Sequence, residues 1–128
     1  MSYKAISVNQ PWAWAIVHGY KPVENRNWPT QFRGEVLIHA GKKFDDEGYE
    51  FLKKMLPTAN IPKKEDFFRG GIVGIAYITD CVKEMESEWF FGEWGFVLAD
   101  ARPCHPKICK GSLGFFEPDY NSRYKVKV

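Results

Sequence analysis

The spacing of apolar and polar residues changes period several times along this chain. Residues 4–8 alternate as a half-buried strand does. PWAWAIVH, 11–18, then follows a helical period, with Asn9 placed as N-cap and Gly19 as stop. On that helix Trp12, Ala13, Ile16 and Val17 share one side and are expected in the core, while Trp14 and His18 fall on the other. Residues 22–28 read as a strand, PTQFRG as a turn, and GEVLIHA, 34–40, as a strand, which predicts a hairpin between the two. FDDEGYEFLKKM, 44–55, suits a helix, because its acids come early and its lysines late. GGIVGIAYITDCV, 70–82, is apolar on both faces and predicts a central strand with glycines at bends. WGFVLADA, 94–101, is a further strand, and PKICKGSLGFFEP closes the sheet. Many short strands with two early helices predict an α+β fold, a small mixed barrel with helices packed around it. The absence of a repeat or linker makes residues 1–128 one expected domain.

Composition adds little beyond a globular chain: 45% hydrophobic and 16% aromatic residues exclude disorder. No apolar run is long enough for an ordinary membrane span, and MSYKAISVNQPW lacks the features of a secretory signal. The expectation is a cytoplasmic protein, and three scattered cysteines fit a reducing compartment. Charge is more informative by segment than in total. Residues 1–43 carry six basic and two acidic groups, 44–101 six and twelve, and 102–128 six and two. A fold that joins the two ends would create a basic face able to attract a phosphate backbone; a mixed, soluble surface is the plainer reading.

Chemistry concentrates in GYKPVENRNWP, 19–29. In an extended strand Glu24, Arg26 and Trp28 share a face, with Lys21 at its entrance. Two readings fit: an exposed edge strand with an ion pair worth little, or a face that grips a polar ring. In the second, Lys21 and Arg26 hold phosphate or carbonyl oxygens, Glu24 accepts from exocyclic amines, and Trp28 stacks. Other constellations fail. Cys104, His105 and Cys109 are too loosely spaced for a zinc site even with Cys81, so no metal or cofactor is expected. GGIVG lacks the lysine and helix of a phosphate loop, and no GxSxG element exists. His39 reads as a hydrogen-bonded, partly buried histidine, with acid-base work a secondary role. The aromatic stretch EWFFGEW, 88–94, either caps the barrel or forms an adhesive patch.

Taken together these residues resemble the ASCH domain of the PUA-like superfamily. The likeness runs through Gln10-Pro11-Trp12-Ala13, Gly19-x-Lys21-x-x-Glu24-x-Arg26-x-Trp28, Arg33-Gly34 and Ile38-His39-Ala40. It continues in GGIVGIAYITDCV, Ser87-x-Trp89 and KGSLGFFEP, and so covers nearly the whole chain in order. The resemblance implies a PUA-like barrel and a cleft at Lys21, Glu24 and Arg26. It also implies binding of RNA, a nucleotide or a modified base; the expectation is single-stranded RNA or a modified nucleoside or nucleotide, with Gln10, Trp12, Trp28 and His39 added to the binding set. Some members are enzymes. One branch removes the acetyl group of N4-acetylcytidine with a lysine, a threonine three residues later and a distant glutamate; others are ribonucleases. In this chain Glu24 stands where that branch has threonine, and Thr30 lies beyond the strand. Hydrolysis would then run directly, with Glu24 activating water and Lys21 or Arg26 holding the oxyanion. Two neighbouring cations stabilise the Glu24 carboxylate, which favours binding over base catalysis.

Overall fold

The computed structural model describes residues 3–119. Arg123, Lys125 and Lys127, half of the basic groups expected at the C-terminal end, lie outside the described residues. The elements, in chain order, are β1 (Lys4–Gln10), α1 (Trp12–Val17), β2 (Val23–Arg26), β3 (Gly34–Phe44), α2 (Asp46–Met55), β4 (Gly71–Val82), β5 (Trp94–Ile108) and β6 (Phe115–Phe116). Among the described residues the fold is α+β: one mixed six-stranded sheet with two short α-helices and a 3-10 turn at Lys64–Asp66.

Strand order is β2-β5-β4-β3-β1-β6, with β1 and β3 parallel and the other pairs antiparallel. The doubly apolar stretch is accordingly a central strand, β4. The expected hairpin is not formed: β2 pairs with β5, whereas β3 pairs with β1 and β4. The reason is apolar content. β3 buries Val36, Ile38 and Ala40 and belongs at the middle of the sheet; β2 buries Val23 alone among its apolar side chains and can serve only as an edge.

Helix α1 lies across the concave side, where Ala13, Ile16 and Val17 pack with Ile6, Val8, Ile38, Ala76, Ile78 and Phe96. Its approach is close enough that a Cβ on Gly74 of β4 would collide with Val17 and with the carbonyl of Arg102. One sequence expectation about α1 fails and another holds in part. Asn9 does not cap it; the Oε1 of buried Gln10 accepts from the amide of Trp14 at 2.9 Å instead. Trp12 packs against the core but is only half-buried, and its indole nitrogen donates to Asp45 at 2.9 Å. Trp14 packs against Tyr20, His18 and Phe67. The second helix follows expectation more nearly: Asp45 caps it through Gly48, with Asp46 and Glu47 in the first turn and Lys53 and Lys54 in the last.

Three register shifts between β4 and β5 curl the sheet. Its two ends approach without pairing. Trp28, just past β2, meets Phe115 of β6 edge-on at 5.5 Å. No ladder joins β2 to β1 or β6 among the described residues, so strand pairing does not close the expected barrel.

Candidate nucleotide-binding cleft

The unpaired seam is a cleft of about 850 Å³, lined by Lys21, by Glu24 to Trp28 along and just past β2, along β1 by Ser7 to Asn9, and by Trp12, Trp89 and the loop 112–114. Lys21 enters it from the turn after α1, held by its amide to the carbonyl of Ala15. Its ammonium donates to the carbonyl of Val23 at 2.6 Å, stands 3.6 Å from Glu24 Oε1, and lies 5.6 Å from the Trp12 ring centre. Glu24 Oε2 accepts from Arg26 Nε at 2.9 Å, and Arg26 Nη2 donates across the seam to the carbonyl of Ser7 at 2.6 Å. The result is a continuous polar chain from the end of α1 to β1.

The Glu24–Arg26 ion pair expected of an edge strand is formed, but its side chains are only 10% and 20% exposed, and buried Lys21 adds a second pair to Glu24, so the bridge is not the fully exposed one that would be worth little. Burial also holds the Lys21 ammonium below the usual lysine value, with the Glu24 charge and hydrogen bond opposing that effect. Among the described residues, the buried polar side chains are Gln10, Lys21, Glu24 and His39, and all four were candidates in the sequence.

The candidates do not all meet. Trp12, Lys21, Glu24, Arg26 and Trp28 line one cleft. Trp28 contributes a wall, its ring set edge-on between Phe96 and Phe115. Gln10 stands behind the cleft, its amide nitrogen donating to the carbonyl of Phe68 at 2.9 Å. His39 lies elsewhere, in β3, between Ser7 Oγ at 3.0 Å and the carbonyl of Cys109 at 2.7 Å. The carbonyl can only accept, so Nε2 carries the proton and Nδ1 accepts from Ser7. Burial lowers the His39 value, and the bond to Cys109 opposes it.

Several lining residues carry no signal of their own in the sequence. Asn25, on β2, donates to the carbonyl of Trp89 at 2.9 Å and accepts from the amide of Phe91 at 3.0 Å. It thereby pins the aromatic loop beside the charged strip. Trp89 meets Trp12 and Phe51, and Phe91 meets Phe51, so this loop forms a wall of the cleft. Aromatic density in EWFFGEW marked the loop; its partner across 64 residues left no local trace. Among the described residues no helix is long and apolar enough to cross a membrane.

Residues 6–127 match the family model described as the ASCH domain. Among curated proteins, Activating signal cointegrator 1 of Homo sapiens is 32% identical over 85 residues, covering 63% of this chain and 15% of that protein. The Mus musculus protein of the same name is 31% identical over the same length. The chain thus spans a small part of these relatives. Among solved structures, a tyrosine-to-phenylalanine mutant of the Zymomonas mobilis ASCH protein superposes with a TM-score of 0.50 at 21% identity, covering 84% of this chain and 76% of that one. That likeness concerns the fold alone.

Proposed function

The chain belongs to the ASCH domain family, and on that premise we propose that residues 1–128 act as one domain binding single-stranded RNA, or a nucleotide or modified nucleoside. The observation that carries this reading is the chain from buried Lys21 and Glu24 to half-buried Arg26, opening onto a cleft walled by Trp12 and Trp89. Lys21 and Arg26 contact phosphate or carbonyl oxygens, Glu24 accepts from base amines, and the indoles supply apolar faces against which a base stacks. The curled sheet works as a PUA-like barrel with one seam left open for the ligand. The setting is cytoplasmic.

The test is a titration of a short single-stranded RNA and of free nucleosides, followed by tryptophan fluorescence, in wild type and Arg26→Ala. Saturable quenching that weakens in the variant supports the reading. A signal indifferent to the substitution, or no signal with any of these ligands, sinks it.

A second reading is hydrolysis of a modified nucleoside such as N4-acetylcytidine, or of RNA. Its support is the desolvated Lys21 ammonium against Glu24, which suits a site that stabilises an oxyanion. Incubation of N4-acetylcytidine and of single-stranded RNA with wild type and Glu24→Gln decides it: turnover confined to wild type supports catalysis, and no turnover leaves binding alone.

A further inference from the structure

Resting on the reading of the cleft as a base-binding site, and narrowing the contacts of Lys21 and Arg26 there to carbonyl oxygens, we propose that phosphate binds outside it, in a second cavity across Ser7 that is lined by Lys42 and Lys110. The ligand is then a nucleotide unit of a strand, its base in the first cavity and its phosphate in the second.

The charges of the cleft lead to this division. Its walls hold Lys21, Arg26 and Lys43 against Glu24, Asp45 and Glu47, so the side-chain charges cancel. Lys21 and Arg26 already face Glu24. Both oxygens of Asp45 are engaged, by Gly48 N and Trp12 Nε1. A phosphate placed there would lose water and meet no surplus positive charge. A base is neutral, and its carbonyls and amines match the same donors and acceptors without that cost.

The second cavity, about 430 Å³, has the opposite balance. Among the described residues Lys42 and Lys110 line it and no carboxylate does, and His39 forms part of its wall. Both lysines are exposed, so their ammonium groups reach an anion without prior burial. Arg69 adds a third cation near its rim by donating to the carbonyl of Lys42 at 3.1 Å. The acid to set against them is Asp119, which acts on the Cys109 thiol. Gly41, Gly70 and Gly111 line this cavity as well, leaving backbone open to close approach. A Cβ on Gly111 would come within 2.7 Å of His39 Cε1, so only glycine lets the chain lie flat on that imidazole.

Ser7 is common to both cavities. Its carbonyl takes the Arg26 guanidinium, and its hydroxyl bonds His39. The stretch KGSLG spans them too: Ser112, Leu113 and Gly114 line the cleft, and Lys110 and Gly111 line the second cavity. A base and its own phosphate straddling β1 at Ser7 would therefore fall one to each.

Two signals separate the sites. The ring resonances of His39 report the second cavity, and tryptophan fluorescence reports the cleft. Inorganic phosphate is expected to shift the His39 resonances in wild type without quenching the tryptophans. In a Lys42→Ala/Lys110→Ala protein the response should weaken about tenfold or more, as for loss of hydrogen bonds to a charged group. Free nucleosides should bind wild type and this variant alike, whereas nucleoside monophosphates should lose a similar factor in the variant. Phosphate that leaves His39 unmoved, or that quenches the tryptophans and depends on Lys21 instead, overturns the proposal. Tryptophans blind to every nucleoside, in a protein whose His39 still answers phosphate, would overturn the base-binding reading and not the phosphate site.

Discussion

Arg26 donates to the carbonyl oxygen of Ser7 at 2.6 Å and so joins β2 to β1, strands that share no ladder among the described residues. The same guanidinium holds Glu24 through Nε, a fork that an ammonium cannot reproduce. Arg26→Lys should keep one of these contacts and lose the other. Urea denaturation should then show a loss of about 2 kcal/mol, the scale of a hydrogen bond to a charged group. An unchanged midpoint would mean that the bridge contributes nothing to holding the seam.

Glu24 is the carboxylate paired with the buried Lys21. Its truncation strands a desolvated cation. Glu24→Ala should cost about 3 kcal/mol or more, as breaking a buried pair does, and Glu24→Ala/Lys21→Met should recover part of it. Additive losses in this cycle would show that the two side chains are not coupled.

Acid should weaken the fold through His39. Its folded value lies below the ordinary 6.5, so in the interval between them the unfolded chain holds the extra proton. Stability therefore rises with pH across that interval and is lost as pH falls through it. Lys21 acts with the same sign in alkali, between its lowered value and 10.5. Stability measured in steps below pH 6.5 should decline more steeply in wild type than in His39→Gln, whose amide can still donate to Cys109. Parallel curves would remove His39 as the cause.

Asn25 ties the aromatic wall to β2 through two hydrogen bonds. In Asn25→Ala both partners on the loop lose their mate. Amide exchange at Phe91 should accelerate, and nucleoside affinity should fall, while global stability drops by only about 1–2 kcal/mol. Exchange unchanged at Phe91 would show that the rings alone hold the loop.

Much of this architecture is legible in local pattern because single elements are set by period and capping. β4 declared itself by apolar residues on both faces, and α2 by its charge order. What failed, wholly or in part, depends on partners far along the chain. β2, with one buried apolar side chain, has no pattern that selects β5 over β3. Trp12 faces the cleft because Asp45, 33 residues on, accepts its indole proton. Asn9 had the better cap chemistry, yet the longer Gln10 side chain reaches the Trp14 amide. The site followed the same rule. Lys21, Glu24 and Arg26 fall close together in sequence and could be read as a set; Asn25, Trp89 and loop 112–114 join them only through the curl of the sheet.

The Gln10 amide accepts from the Trp14 amide with its oxygen and donates to the Phe68 carbonyl with its nitrogen. Its two ends are not interchangeable, so this one side chain locks α1 to the segment entering β4. Lys21 is fastened in turn to Ala15 of that helix. These side chains therefore surrender their freedom when the chain folds, before any ligand could arrive. What docking would still cost is the ligand's own loss of translational and rotational freedom, with little added for ordering the protein.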